Sequence, residues 1–252
     1  MTDIFDLSDS VALVTGAGGV LGGRFARVIA GHGGRVAATA RSLEKLAGIA
    51  EDSGGSTGTI RGFHLDVTDR ESIAAAFDEI EAVWGRVNLL INNAGITHSD
   101  PAAHIAPETW RNVLDVDLNA PFFVMQEFAR RLIAAEVPGT IVNIASILGI
   151  RADKGVGAYA AAKAGLIQLT RTTSLEWARY GIRVNAIAPG WFPTAINQDY
   201  LTSDAGVALR KRIPMRRFGE EHDLDGALLL LASKAGAYMT GTTIVVDGGL
   251  EV

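Results

Sequence analysis

The chain has 252 residues, 48% of them hydrophobic and 20% charged, with 29 glycines, 7 prolines and no cysteine. A net charge of -5 argues against nucleic acid as a partner, and the lack of thiols excludes disulfides, thiolate metal sites and a cysteine nucleophile. The opening Met-Thr-Asp-Ile-Phe-Asp lacks the basic-then-apolar pattern of a secretory signal, and no stretch reaches the ~18 apolar residues of a membrane span, so a cytoplasmic protein is expected.

Short β-branched runs alternate with longer helical segments along the chain. Val11 to Thr15, Val36 to Thr39, Val87 to Ile91, Thr140 to Ile144, Ile182 to Ile187 and Thr243 to Val246 read as strands. They are apolar throughout, as strands covered on both faces are. Their alternation with helices predicts one α/β domain over residues 1–252, a doubly wound parallel sheet with helices on both faces.

The first strand runs into Gly16-Ala-Gly-Gly-Val-Leu-Gly22 and then a helix-like Arg24 to Ala30. A glycine turn between a strand and a helix N-terminus lets backbone N–H groups approach a pyrophosphate, helped by the helix dipole. The spacing is not G-x-G-x-x-G, because Leu21 stands at the third glycine's place; Gly16 and Gly22 frame the turn around Gly19. The second strand ends in Ala40-Arg41-Ser42, with no acid until Glu44. In dinucleotide folds an acid at that point binds a ribose 2′-hydroxyl and an arginine suits a 2′-phosphate, so Arg41 favours NADP(H), with NAD(H) the alternative.

Ser53 to Gly58 reads as an ordinary loop. After Asp69, residues Ile73, Phe77, Ile80 and Val83 form one helical stripe, which Gly85 stops. Ser146 follows the strand Thr140 to Ile144 at its carboxyl end, the edge where open α/β sheets bind ligands. Tyr159 and Lys163 lie one helical turn apart in a segment from Gly157 to Tyr180, with an apolar stripe through Leu166, Leu169 and Trp177. A phenol beside an ammonium is drawn toward phenolate, which suits it to acid–base work. Trp191 to Phe218 breaks the alternation, carries Pro193 and Pro214, and reads as a substrate lid.

Together these residues resemble the short-chain dehydrogenase/reductase family over nearly the whole chain. The matching features are Thr15-Gly16 with Gly22, Asp66-Val67, Asn92-Asn93-Ala94-Gly95, and Ser146 thirteen residues before Tyr159-x-x-x-Lys163. Pro189-Gly190-x-x-x-Thr194, Tyr238-Met-Thr-Gly241 and Val246-Asp-Gly-Gly249 follow in order. The resemblance implies about seven strands, a homotetramer or homodimer, and hydride transfer between a nicotinamide cofactor and a ketone or secondary alcohol. It implies that Tyr159 donates or removes the proton, that Ser146 holds the reacting oxygen, and that Lys163 supports Tyr159 and holds the nicotinamide ribose. Asp66 and Val67 would border the adenine, Asn93 and Gly95 the adjoining ribose. Pro189, Gly190, Phe192 and Thr194 would meet the nicotinamide amide.

Two positions depart from the family pattern. Val20 replaces a glycine or alanine in the turn, and Asp117 replaces the usual asparagine that orders a water in a proton relay to the lysine. An aspartate accepts from water but cannot donate as an amide does, so a relay with altered pH dependence is expected. Substrate class stays open between 3-oxoacyl thioesters, gluconate-type sugar acids and simple carbonyls, and a non-catalytic nicotinamide sensor is the reading from another class. Lyase or epimerase chemistry on the same fold is a further one. No histidine has metal-ligand spacing, and Ser146 lacks the glycines of a G-x-S-x-G elbow. His98, Asp100 and His104 read as solvated loop residues, and Lys211, Arg212, Arg216 and Arg217 as a basic face. Trp191, Phe192 and Tyr200 are equally readable as pocket walls or as core.

Overall fold

The computed structural model describes residues 3–50, 58–194 and 197–252. The loop read from 53 to 58 lies outside them apart from Gly58, as do the first two residues of the acidic opening. Seven strands form one sheet: β1 (Val11–Val14), β2 (Arg35–Ala40), β3 (Thr59–His64), β4 (Leu89–Asn92), β5 (Gly139–Ile144), β6 (Ile182–Pro189) and β7 (Thr243–Val246). All pairings are parallel, in the order β3-β2-β1-β4-β5-β6-β7. The first helices are α1 (Val20–Gly31), α2 (Ala47–Ala50), α3 (Arg70–Trp84), α4 (Pro107–Leu114) and α5 (Ala120–Ala135). They are followed by α6 (Gly157–Trp177), α7 (Gln198–Thr202), α8 (Asp204–Arg212) and α9 (Asp225–Ala232).

Strand β1 shows why the sheet's sequence is apolar without alternation. Ala12 and Val14 join a core with Phe25, Ile29 and Leu228 from α1 and α9. Val11 and Leu13 join the opposite core with Phe77 of α3 and Phe128 and Leu132 of α5. Truncating a fully buried ring such as Phe77 or Phe128 to alanine costs about 3–5 kcal/mol.

The unassigned seventh strand is β3, Thr-Ile-Arg-Gly-Phe-His. It is an edge strand that pairs only with β2, and it buries Ile60 and Phe63 while its other residues stay polar or small, so its composition reads as a loop. The stripe on α3 needs one correction. Ile73, Phe77 and Ile80 are buried, but Val83 is exposed. The stripe instead continues four residues beyond Ile80 to Trp84, whose ring packs edge-on against Phe63 at 5.7 Å. Asp69 caps this helix by accepting from the Glu71 N–H, and Gly85 ends it at φ +82°.

The chain runs from β1 outward through β2 and β3, then returns to the other side of β1 for β4. Loops leaving β1 and β4 therefore diverge and open a crevice at the carboxyl edge of the sheet. At its floor the two loops touch: a β-carbon on Gly16, at φ +63°, would stand 2.8 Å from the Ala94 Cα. Of the segment 191–218, residues 195 and 196 lie outside the described residues; the remainder includes α7 and α8 and packs Leu201, Leu209 and Ile213 against Ile147 and Leu250. The Arg151 guanidinium donates to the Leu250 carbonyl, so the C-terminal residues are held beside the turn that follows Ser146. Among the described residues no helix is long and apolar enough to cross a membrane.

Candidate active site

The residues singled out in the sequence gather along the carboxyl edge. Gly16 to Gly22 follow β1, Arg41 follows β2, Asp66 and Val67 lie just past β3, Asn93 and Gly95 follow β4, Ser146 follows β5, and Pro189 to Thr194 end and follow β6. Tyr159 and Lys163 come from α6. That helix folds back so tightly that a β-carbon on Gly149 would stand 2.7 Å from the Lys163 carbonyl carbon.

The glycine turn is built to admit a ligand's phosphates. Helix α1 starts at Gly19 with no side-chain cap, which leaves first-turn N–H donors for an anion, and Gly18, Gly19 and Val20 are exposed. Gly22 has no room for a side chain: its β-carbon would stand 2.5 Å from the Gly16 carbonyl oxygen and 2.6 Å from Asn93 Nδ2. Asn93 itself ties the crevice together, donating from Nδ2 to the Thr15 carbonyl at 3.0 Å and to the Gly16 carbonyl at 3.2 Å. Thr15, which the sequence marked only as part of the Thr15-Gly16 family match, has a buried hydroxyl that accepts from the N–H groups of Asn93 and Ala94, at 2.9 and 3.0 Å.

Farther along the crevice, Asp66 accepts from the Thr68 hydroxyl at 2.7 Å and the Thr68 N–H at 2.9 Å. The Thr68 hydroxyl, working against burial and joined by the Thr68 N–H and the Arg41 charge, holds the Asp66 carboxyl below its usual range. Arg41 is exposed and shares this corner with Asp66.

The centre of the site is a buried column. Lys163 Nζ stands 3.3 Å from Asp117 Oδ1, donates to the Ile144 carbonyl at 3.1 Å, and lies 5.6 Å from the Tyr159 ring centre. Ile144 is two residues before Ser146, whose Oγ accepts from the Leu148 N–H at 3.1 Å and caps the turn that follows. Asp117 is fully buried and also accepts from the Ile96 N–H at 3.3 Å. Burial pushes its carboxyl above the ordinary carboxylate range, against the pull of Lys163 and the Ile96 N–H. For Lys163 burial opposes the charge, but Asp117 and Tyr159 outweigh it and raise the ammonium above the usual lysine value.

Asp117 reaches the column from a π-turn, Asp115–Asn119, between α4 and α5. The Ala120 N–H bonds to the Asp115 carbonyl five residues back, and Pro121 has no N–H to offer the Asp117 carbonyl four residues back. Asn119, two residues on, points elsewhere: its side chain donates to exposed Asp115.

The loop after β6 decides between the two readings of Phe192. Phe192 is buried in the core that holds α1 and α9, so its ring is core rather than pocket wall, and it can offer a ligand only backbone. Trp191 and half-exposed Tyr200 meet as a tilted ring pair with centres 5.5 Å apart. Asn197, which sequence reasoning missed, fastens the turn by accepting from the Thr194 N–H at 2.9 Å and donating to the Phe192 carbonyl at 2.9 Å. Of the basic residues in this segment, Arg217 pairs with Asp223 and Arg216 donates to the Lys211 carbonyl. His98 bonds Asp100 at the surface, and no metal-binding cluster of three or more acidic, histidine or cysteine residues occurs among the described residues.

Comparison with known proteins fits this geometry. A family model described as enoyl-(acyl carrier protein) reductase matches residues 16–251. The chain is 35% identical over 248 residues to the D-threitol dehydrogenase of Mycolicibacterium smegmatis, spanning 98% of this chain and 95% of that one. It is 36% identical over 246 residues to the 3-oxoacyl-acyl-carrier-protein reductase of Thermotoga maritima, spanning 98% and 99%. A gluconate 5-dehydrogenase from Burkholderia cenocepacia, solved in complex with NADP and tartrate, superposes with a TM-score of 0.91 at 37% identity, covering 98% of this chain and 97% of that one. The chain belongs to the short-chain dehydrogenase/reductase family and is an oxidoreductase working between CH–OH and C=O groups.

Proposed function

We propose that the protein interconverts a ketone and a secondary alcohol with NADP(H) in preference to NAD(H), Tyr159 serving as the general acid and base. The observation that carries this reading is the column in which Lys163, buried between Asp117 and the Ile144 carbonyl, places its charge 5.6 Å from the centre of the Tyr159 ring. When bound, the nicotinamide supplies or accepts the hydride. In reduction the Tyr159 hydroxyl gives its proton to the carbonyl oxygen as the carbon gains hydride, and in oxidation the phenolate takes that proton back. Ser146 hydrogen-bonds the same oxygen and stabilises the charge developing there.

The chain fits the cofactor at each end. The Gly16-to-Gly22 turn, with Gly19 and Leu21 in its span, offers backbone N–H groups to the pyrophosphate, and Arg41 offers a forked cation to a 2′-phosphate. Asp66 and Val67 border the adenine, and Asn93 and Gly95 the adjoining ribose. Lys163 holds the nicotinamide ribose, and Pro189, Gly190, Phe192 and Thr194 meet the amide, Phe192 through its backbone. The segment 191–218 is the substrate lid, because its apolar residues already rest on Ile147 in the turn after Ser146. A cytoplasmic homotetramer or homodimer with a small-molecule substrate completes the reading.

NADPH consumption against keto-gluconates, acetoacetyl thioesters and simple cyclic ketones tests this, with NADH in parallel. Turnover of one class, lost in Tyr159→Phe, is expected. NADPH binding with no turnover of any class would favour the sensor reading instead.

A further inference from the structure

We infer that Asp117 is an internal counter-ion that sets the pH range of the site by partly neutralising Lys163. This deepens the function proposed above and rests on it. The ion pair is closed to solvent: the Asp117 side chain is 0% exposed and that of Lys163 is 5% exposed, with Oδ1 and Nζ 3.3 Å apart. A buried pair of this kind is weakly screened, so each charge acts on its neighbours over several ångströms.

The surroundings leave few other groups to share the role. Asp117 faces the Ile96 N–H from the loop after β4, which bonds both carboxylate oxygens at 3.3 Å, and the Lys163 ammonium from α6. The loop also presses Gly95 against it, and β5 contributes the Ile144 carbonyl to Lys163. Among the described residues, the ionisable groups acting on Lys163 are Asp117 and Tyr159, and the one acting on Asp117 is Lys163. Asp115, on the same turn, is exposed and engaged by Asn119.

A tyrosine beside a lone ammonium feels the full positive charge, while one beside a paired ammonium feels a dipole. The Asp117 carboxylate therefore works against the phenolate that Lys163 favours, and Tyr159 is a better acid and a weaker base for any substrate when the carboxylate is removed. Asp117, fully buried and 3.3 Å from Lys163 Nζ, is a positioning residue acting through Lys163.

The test is Asp117→Asn, which keeps the shape and an oxygen for the Ile96 N–H while removing the charge. The pH profile of alcohol oxidation, as kcat/KM, is expected to move its half-point to lower pH by about one unit, a tenfold change in base form at fixed pH. A readout without cofactor accompanies it: tyrosinate absorbance of Asp117→Asn, minus that of Asp117→Asn with Tyr159→Phe, develops at lower pH than the same difference for the parent chain. A profile that stays in place, or moves to higher pH, overturns the inference. Asp117→Ala is the second variant, removing the charge without adding bulk at this closed position; its profile moves in the same direction as that of Asp117→Asn if charge is what matters. Tyr159→Phe separates the two readings, because full turnover in that variant defeats the proposed function, whereas loss of turnover with an unmoved Asp117→Asn profile defeats the counter-ion alone.

Discussion

Gly95 and Asp117 are packed so closely that a β-carbon on residue 95 would stand 2.5 Å from the Asp117 Oδ1 and 3.5 Å from the Lys163 Nζ. The glycine is there because the loop after β4 closes directly over the ion pair. Gly95→Ala is expected to push the carboxylate off the lysine, moving the pH profile of alcohol oxidation to lower pH as in Asp117→Asn and lowering stability by about 1–3 kcal/mol. Denaturant titration and steady-state kinetics check it. Gly157→Ala is the control: nothing lies within 4 Å of its β-carbon, so activity is kept and stability changes by less than about 1 kcal/mol.

Thr15 links the two loops that border the crevice. Its hydroxyl is the acceptor for two N–H groups, those of Asn93 and Ala94, at a position 1% exposed. Thr15→Val keeps the shape and orphans both donors, at about 1–3 kcal/mol for each group left unpaired. The expected outcome is a lowered urea midpoint together with weaker NADPH binding, read from nucleotide fluorescence. Loss of stability with unchanged affinity would show that the loops hold their spacing without this residue.

These two residues mark where sequence reading succeeds and stops. The strand-helix alternation, the glycine turn and the Tyr159-to-Lys163 spacing were legible because each is a local pattern enforced by backbone geometry. Gly95 was legible through family resemblance, but its reason, a carboxylate from a residue 22 positions later, is a tertiary contact that no local pattern carries. Thr15 too was legible through family resemblance, but at the end of an apolar strand its hydroxyl has no local reason; the arrival of the β4 loop gives it two N–H groups to accept from. Strand β3 escaped for the opposite reason, since an edge strand buries too few residues to leave an apolar run. Phe192 was ambiguous because an aromatic residue after a Pro-Gly turn can face either way, and Gly219 packing on its ring decides that it faces the core.

Acid lability is expected to begin at the 191–218 segment. Asp223 pairs with Arg217 and accepts from the Glu220 N–H at 2.8 Å, and with the Arg217 hydrogen bonds leading, its carboxyl is held down at about 2. A folded-state pKa below the unfolded 3.8 means the stabilisation is complete above 3.8 and is lost as pH falls toward about 2. Asp66, held below its usual range chiefly by the Thr68 hydroxyl, loses its contribution in the same direction. Both carboxyls are partly exposed, so the effect is small and salt-sensitive. In limited proteolysis from about pH 4 down to about pH 2, the 191–218 segment of the parent chain should open only as pH falls below 3.8, whereas Asp223→Asn, with no carboxylate at any pH, is already cut at the upper end.

Pro121 is expected to help hold the π-turn that brings Asp117 to Lys163. A π-turn is an unfavourable interruption of a helix, and it persists where a normal hydrogen bond is unavailable or a packing demand outweighs it. Pro121 removes the donor for the Asp117 carbonyl, while its own carbonyl accepts from buried Asn92 Nδ2 at 3.3 Å, which in turn donates to Asn143 at 2.9 Å. Pro121→Ala restores the missing N–H and lets α4 and α5 join as one regular helix, which rotates residue 117 by part of a turn away from the column. The fold is retained in this variant, since the Asn92 contact uses a carbonyl that alanine also has. Lys163 is then left without its carboxylate, so the pH profile moves to lower pH as it does in Asp117→Asn, and combining the two changes adds nothing further. An unmoved profile in Pro121→Ala, beside a shifted one in Asp117→Asn, would mean that the ion pair itself, and not the proline, holds the π-turn open.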